Sequence, residues 1–429
     1  MKKIVLLLIL LLVLVGCERR AVNTGSEDIT LTIWEDNKNI EVVTTITEEF
    51  ARFYAFNFPS APKLKFQFIP HSEQSSVEDL VLAGPAGTGP DILAFVHDTL
   101  DTAVSGNLLA RNSYADKIIA THSNEAAQAA SLNGIMYGFP ITSESQVIIY
   151  RKSKISVSQI SNIETILNSN QANAKLVWDV FEGYYSFGLF NDALLYGLDG
   201  ETVTGVKSSY LNFATPNAIA NVSYLKNNFK SNTNLVIPGS TSGTTDIEGL
   251  SLFLAGNVDA IIVAPYFWAS AKEHFGDDVQ MAPLPKVNNQ EMRPFSGYKL
   301  YGVSRYSKYP ALAQQLADFM TSEWAQALRL KNKSLLPTVT SLTTKIDQTS
   351  IIVNSWRMLE TTRITIPEAT LVEARIFKDS LDQSITMPKI ARFSAFWIAY
   401  ANNMKALWEK SSLTEQDLID YLNNITQNM

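Results

Sequence analysis

Apolar and polar positions fall into a repeating order over the first hundred residues. Leu31 and Ile33 mark a short strand. Val43, Ile46, Phe50 and Phe53 then recur every three or four positions, giving one apolar face to a helix over 41–56. Leu64, Phe66 and Phe68 alternate with Lys65 and Gln67, the pattern of a half-buried strand. Val77, Leu80 and Val81 predict a short helix, the glycine- and proline-rich stretch 84–90 a loop, and 91–96 a buried strand. A β-α-β-α-β order requires parallel strands joined by right-handed crossovers, and hence an open α/β sheet.

Farther along, 146–150, 176–178 and 260–264 are β-rich, and 218–229 and 247–254 have helical character between them. These predict a second α/β lobe. Pro310 stands at a favourable first helical position, with Leu312, Leu316, Phe319 and Met320 on one face. The last third reads as mostly helical. It ends in a helix opened by the capping pair Thr414 and Asp417 and buried along Leu418, Tyr421, Leu422 and Ile425. A length of 429 residues accommodates two to three domains.

Composition narrows the functional classes. The net charge of −7 speaks against nucleic acid as a partner, because phosphate binding needs surplus positive charge. One cysteine, Cys17, excludes a disulfide framework and a thiolate zinc site. Its surroundings form a pattern of their own. Lys2 and Lys3 precede an apolar run over 4–15, then Gly16 and Cys17, then the charged Glu18, Arg19 and Arg20. This is the layout of a secretory signal, and the run is too short to span a bilayer. Leu14-Val15-Gly16-Cys17 looks like a bacterial lipobox. The expectation is a signal peptide over 1–16, an acylated Cys17 as membrane tether and a polar, flexible spacer over 17–28. The mature protein would sit on the outer face of the cytoplasmic membrane.

Motifs for catalysis and cofactors are wanting. His71, His97, His122 and His274 are scattered, without the spacing of a metal site. Gly239-Ser240-Thr241-Ser242-Gly243 has threonine where a nucleophile elbow needs serine, so it reads as a loop. Neither a P-loop nor a dinucleotide fingerprint occurs around 84–89. No cofactor and no metal are expected. The remaining signal is at the strand ends, where open α/β sheets bind ligands. Trp34, Glu35 and Asp36 end the first strand, Phe95, His97 and Asp98 the third, and Pro265, Tyr266, Phe267 and Trp268 follow 260–264. Rings that stack on apolar sugar faces, beside carboxylates that accept from hydroxyls, suit carbohydrate.

With these residues go Gly89-Pro90-Asp91-Ile92 before His97-Asp98, Pro140-Ile141 before Glu144, and Ser394-Ala395-Phe396-Trp397. On these pieces the chain resembles the maltose/maltodextrin-binding proteins of bacterial ABC importers, within the larger family of extracellular solute-binding proteins. The similarity runs over 31–425. It implies a two-lobed, periplasmic-binding-protein-like α/β fold of type II with the ligand cleft between lobes. The lobes would be 29–142 with 301–345, and 145–297 with 350–429, and the chain would cross between them near 142–146, 295–301 and 337–351.

By position, the resemblance assigns Asp98 and Glu144 to sugar hydroxyls, and a turn from Trp34 carrying Asp36 and Lys38 to the same lobe. Phe95 stands where the family has tryptophan. In the second lobe Glu182 and Tyr184 match a sugar-binding pair, Tyr266 replaces a second tryptophan and Trp397 keeps a third. Thr99 and Ala401 stand where maltose binders commonly have arginines, which removes two charge-assisted contacts. The implied protein is a monomeric, non-catalytic receptor. It would deliver an oligosaccharide, maltose or maltodextrin first, to permease subunits in the membrane. Another di- or oligosaccharide is an open alternative, as is a surface glycoside hydrolase using Glu144 and Glu182, since such chemistry needs two carboxylates flanking the bond.

Overall fold

A computed structural model describes residues 28–168, 174–190, 192, 212–238, 245–389 and 393–428, with backbone elements alone at 201–202, 205–206 and 245–247. Cys17, the signal, all of the spacer before Asp28 and the 239–243 loop lie outside the described residues.

The opening pattern folds as read. Strand Ile29–Glu35 leads to helix Ile40–Asn57, strand Leu64–Pro70, helix Ser76–Ala83 and strand Ile92–Val96. Ile29–Glu35 lies between the other two strands and is parallel to both. Val43, Ile46 and Phe50 of the first helix are wholly buried, because their spacing places them on the one face that meets the sheet. Strands Phe295–Val303, Gly138–Ser145 and Leu336–Pro337 extend this sheet beyond Ile92–Val96, with Ile385–Thr386 beside the start of Phe295–Val303. Seven strands result.

A second sheet runs in the order Leu235–Val236, Leu176–Val177, Ala260–Val263, Val147–Arg151, Val279–Ala282. The first three are parallel, and Val147–Arg151 is antiparallel to both of its neighbours. The protein is thus a two-lobed α/β structure. Gln146 alone separates Gly138–Ser145 of the first sheet from Val147–Arg151 of the second, and it is fully buried. Ser380 Oγ donates to its carbonyl. This is the tightest crossing between the lobes.

Helices follow their sequence signals. Pro310 begins helix Pro310–Met320, and Thr414 and Asp417 cap Glu415–Gln427 reciprocally. The last third differs in one respect. Strands Ser350–Val353 and Ile364–Pro367 form an antiparallel hairpin that lies against helix Glu323–Lys333. Ile351, Val353, Ile364 and Ile366, with Leu371, Ala374 and Phe377 of the next helix, belong to a core that takes in the first sheet and also Val147, Ile149, Val177, Ile261 and Met281 of the second. Met387, Phe393, Phe396 and Tyr400 belong to the other core. A four-residue strand with alternating exposure carries too little apolar pattern to declare itself against the surrounding helices.

Candidate functional site

One strand organises the site. Phe295–Val303 is buried along its whole length, yet it carries Lys299 in the middle. A lysine there must find anions, because an ammonium cannot be left dry without a partner. Lys299 Nζ lies 2.5 Å from Glu73 Oε1 and 3.6 Å from Glu144 Oε2. Burial alone would lower its pKa, but Glu144, Glu73 and Asp36 outweigh burial and hold it well above the ordinary lysine value. Neither Glu73 nor Lys299 was among the residues picked out by sequence. Their signal was a charge inside an otherwise apolar strand, which calls for an acid without saying where in the chain it lies.

Glu144 reaches this lysine because Gly138–Ser145 pairs with Phe295–Val303, with Glu144 opposite Gly297. Asp36 and Lys38 come from the turn after the first strand. Asp36 caps a short 3-10 turn by accepting from the Lys38 backbone N–H, and its carboxylate pairs with Lys38 Nζ at 3.1 Å. Lys38 Nζ is also 3.9 Å from Glu73.

The second lobe enters through Tyr266, in the turn after strand Ala260–Val263. Its ring centre is 4.9 Å from Lys38 Nζ and 5.6 Å from Lys299 Nζ, so two cations from the first sheet's side face one half-buried ring. Asp36, Lys38, Glu73, Glu144, Lys299 and Tyr266 thus form one charged cluster that joins both lobes.

Asp98 is fastened beside the same strand by its neighbour. His97 is fully buried, with Nε2 3.1 Å from the Met387 carbonyl and Nδ1 accepting from the Tyr298 N–H at 3.1 Å. These partners fix the proton on Nε2. Burial pushes the imidazole pKa down to about 3, so it is neutral at ordinary pH. Asp98 Oδ1 is shielded from solvent and has no hydrogen-bond partner among the described residues. Burial raises its carboxyl to about 6 against the lowering effect of its own N–H and that of Thr99. A buried acceptor without a donor is a place where a ligand hydroxyl would be favoured.

Glu182, Tyr184 and Trp397 belong to two helical segments that pack together, Gly183–Ser186 with its cap and Ser394–Glu409. Phe295 starts the organising strand, and its ring centre is 6.1 Å from that of Trp397 on helix Ser394–Glu409. Gly183 backs onto the same surface, since a side chain there would collide with Phe396 and touch Trp397. Glu182 Oε2 accepts from the backbone N–H groups of Tyr184 and Tyr185, at 2.9 and 3.2 Å. That carboxylate caps the helix Gly183–Ser186, a structural use of the residue. Trp397 stays half-buried, held edge-on by Phe393 and Phe396.

Two of the expected aromatics are buried. Phe95 is fully buried in the first core, opposite Leu300. Trp34 is 5% exposed and stacked on His71 with ring centres 4.0 Å apart. Strands covered on both faces bury both sets of side chains, so a position near a strand end does not by itself expose a ring. The end of the first strand is also engaged structurally. Glu35 accepts from Tyr301 Oη at 2.6 Å, and Arg329 in turn donates to Tyr301 at 2.9 Å. Among the described residues, no group of three or more His, Cys, Asp or Glu could hold a metal ion.

Comparisons with known proteins agree with this architecture. The family model described as bacterial extracellular solute-binding protein matches residues 54–352. A galactooligosaccharide-binding protein of Bacillus subtilis (strain 168) is 26% identical over 333 residues, 76% of each chain. The maltodextrin-binding protein MdxE of the same organism is 24% identical over 347 residues, 76% of this chain and 77% of that one. A solved cyclo/maltodextrin-binding protein complexed with maltotetraose superposes with a TM-score of 0.70 at 23% identity, covering 94% of this chain and 98% of the other. With its lobes, its shared strand and a match over most of its length, the chain belongs to the bacterial extracellular solute-binding family, and it is a binding protein rather than an enzyme.

Proposed function

We propose that the protein is the lipid-anchored, oligosaccharide-binding component of an ABC importer and that it captures maltodextrin between its lobes for delivery to the permease. The observation that carries this reading is Tyr266 of the second lobe facing Lys38 and Lys299 amid Asp36, Glu73 and Glu144. A sugar suits such a group, because ring faces stack on tyrosine while hydroxyls exchange hydrogen bonds with carboxylates and ammonium groups. Asp98 supplies a further acceptor and Trp397 a second ring. Glu182 acts by shaping the Tyr184 turn; Trp34 and Phe95 support the site from the core.

The lobes we assign are 29–142 with 301–345, and 145–297 with 350–429, except that the hairpin over 350–367 packs against helix Glu323–Lys333 of the first. The hinge then comprises Gln146, the start of Phe295–Val303 and the chain next to the hairpin. Ligand touching one lobe recruits the other because the closed state offers it more contacts, and the permease reads occupancy as shape. Cys17 tethers a monomer to the outer face of the cytoplasmic membrane.

Galactooligosaccharide is the second reading, favoured by the relative at 26% identity that bears that name. Isothermal titration with maltotriose, maltotetraose, galactosyl-lactose and xylotriose separates the two. Micromolar binding corresponds to about −8.2 kcal/mol net, within reach of several stacking and charge-assisted contacts. Heat with the maltodextrins alone supports the first reading; heat with none of the four removes oligosaccharide capture.

A further inference from the structure

The pole of the first lobe opposite the binding cluster carries an apolar surface that the solute-binding function does not use. Phe56, near the end of helix Ile40–Asn57, is 74% exposed, and Met358 is 79% exposed. The Phe56 ring is 5.3 Å from Trp356, in the turn of the hairpin that carries Met358 and Leu359. Phe58 is a further half-exposed ring, packed at 5.1 Å on Tyr54. The turn is rigidly attached, since Arg357 donates to both carboxylate oxygens of Glu49 from Nε and Nη2. Met358 is held at a φ of 54°, a left-handed conformation that a methionine adopts at a cost. Monomeric soluble proteins seldom keep clustered large apolar side chains in water without a surface to place them on.

The chain itself indicates which surface. The described chain begins at Asp28, and the Ile29 N–H donates to the Lys63 carbonyl at 2.9 Å. Lys63 closes the turn in which the Ala61 N–H donates to the Phe58 carbonyl. The connection toward Cys17 therefore leaves the domain within one turn of Phe58 and Phe56. Ten residues lie between Cys17 and Asp28, and the eleven Cα steps reach about 40 Å at full extension. An acyl chain on Cys17 would bring this pole of the domain to lipid first. Exposed Phe, Met and Leu around the half-buried Trp356, with the exposed Lys63 and Lys65 at the chain's entry, have the composition of a surface that settles into the headgroup region.

We propose that Phe56, Phe58, Trp356, Met358 and Leu359 form a docking face for the phospholipid bilayer. It places the N-terminal strand ends on the membrane and the binding cluster outward, one strand length, about 20 Å, farther from lipid. This rests on the tether read at Cys17, and the test separates the two. The full chain, expressed with its signal, carries a bimane label on Met358→Cys or, as a distant control, on Gln416→Cys. It is mixed with vesicles of phosphatidylcholine and phosphatidylglycerol bearing brominated acyl chains. Expected are co-sedimentation, at least fivefold stronger quenching at 358 than at 416, and loss of that difference in Phe56→Glu/Phe58→Glu with sugar affinity unchanged. Co-sedimentation with equal quenching at both labels overturns docking and leaves the tether standing. Failure to co-sediment removes the tether and the docking face together. A dimer by light scattering that Phe56→Glu abolishes assigns the face to a second copy and overturns the proposal.

Discussion

Lys299 stands 3.6 Å from Glu144, and this pair converts a buried strand shared by both cores into the charged floor of the site. The lysine is 6% exposed and has Glu73 closer still. Its ammonium lies between two carboxylates and offsets their mutual repulsion.

Lys299→Met should therefore be damaging twice over. Removing one partner of a buried ionic group costs about 3–5 kcal/mol, so urea denaturation should show a clear fall in midpoint. Affinity for the bound sugar should drop at least tenfold in the fraction that folds. A variant with unaltered midpoint and affinity would show that the cluster is incidental.

Asp98 gives the protein a pH signature. Its folded-state pKa of about 6 lies above the ordinary 3.8, so the folded state binds the proton more tightly than the unfolded chain. Stability is then lost as pH rises from about 4 to 6 and is level above that, by about 3 kcal/mol at most. Asp98→Asn should abolish this slope in urea titrations. A ligand hydroxyl donating to Oδ1 favours the carboxylate, so affinity should weaken below pH 6 in the wild type and lose that dependence in the variant. Identical pH profiles for the two proteins would contradict this.

Tyr266 and Phe95 should part company under the same substitution. Tyr266→Ala removes a half-buried ring beneath two cations and should cost at least tenfold in sugar affinity with little loss of stability. Phe95→Ala should cost about 3–5 kcal/mol of stability through the cavity it leaves, with affinity unchanged in the folded protein. Calorimetry and thermal unfolding on both variants decide the matter, and equal affinity losses would return Phe95 to the site.

Trp397→Ala should weaken maltodextrin binding at least tenfold. The ring rests on Phe295, Phe393 and Phe396, so circular dichroism must first establish that the variant is folded. Unchanged affinity in a folded variant would exclude Trp397.

These outcomes also mark how far the sequence could be read. Periodicity located the first five elements, Pro310 and the Thr414 cap, because each is a local signal carried by adjacent residues. The strand ends pointed toward Asp36, Asp98 and Tyr266, and the resemblance added Lys38, Glu144 and Trp397. What escaped was whatever depends on pairing between distant segments. Glu73, in the turn before helix Ser76–Ala83, and Lys299 meet only once segments far apart in the chain are brought together. Trp34 and Phe95 looked available for stacking, but helices and neighbouring strands cover both faces of their sheet. Glu182 shows the reverse case, in which a carboxylate fitting a binding role is engaged by two backbone N–H groups.

The most direct test of oligosaccharide capture is a crystal structure with the tightest-binding sugar of the calorimetric panel. The account predicts an intact oligosaccharide between the lobes, with hydroxyls on Asp98, Glu144 and Lys299 and sugar faces on Tyr266 and Trp397. An oligosaccharide bound elsewhere, with this cluster's ion pairs undisturbed, would contradict it.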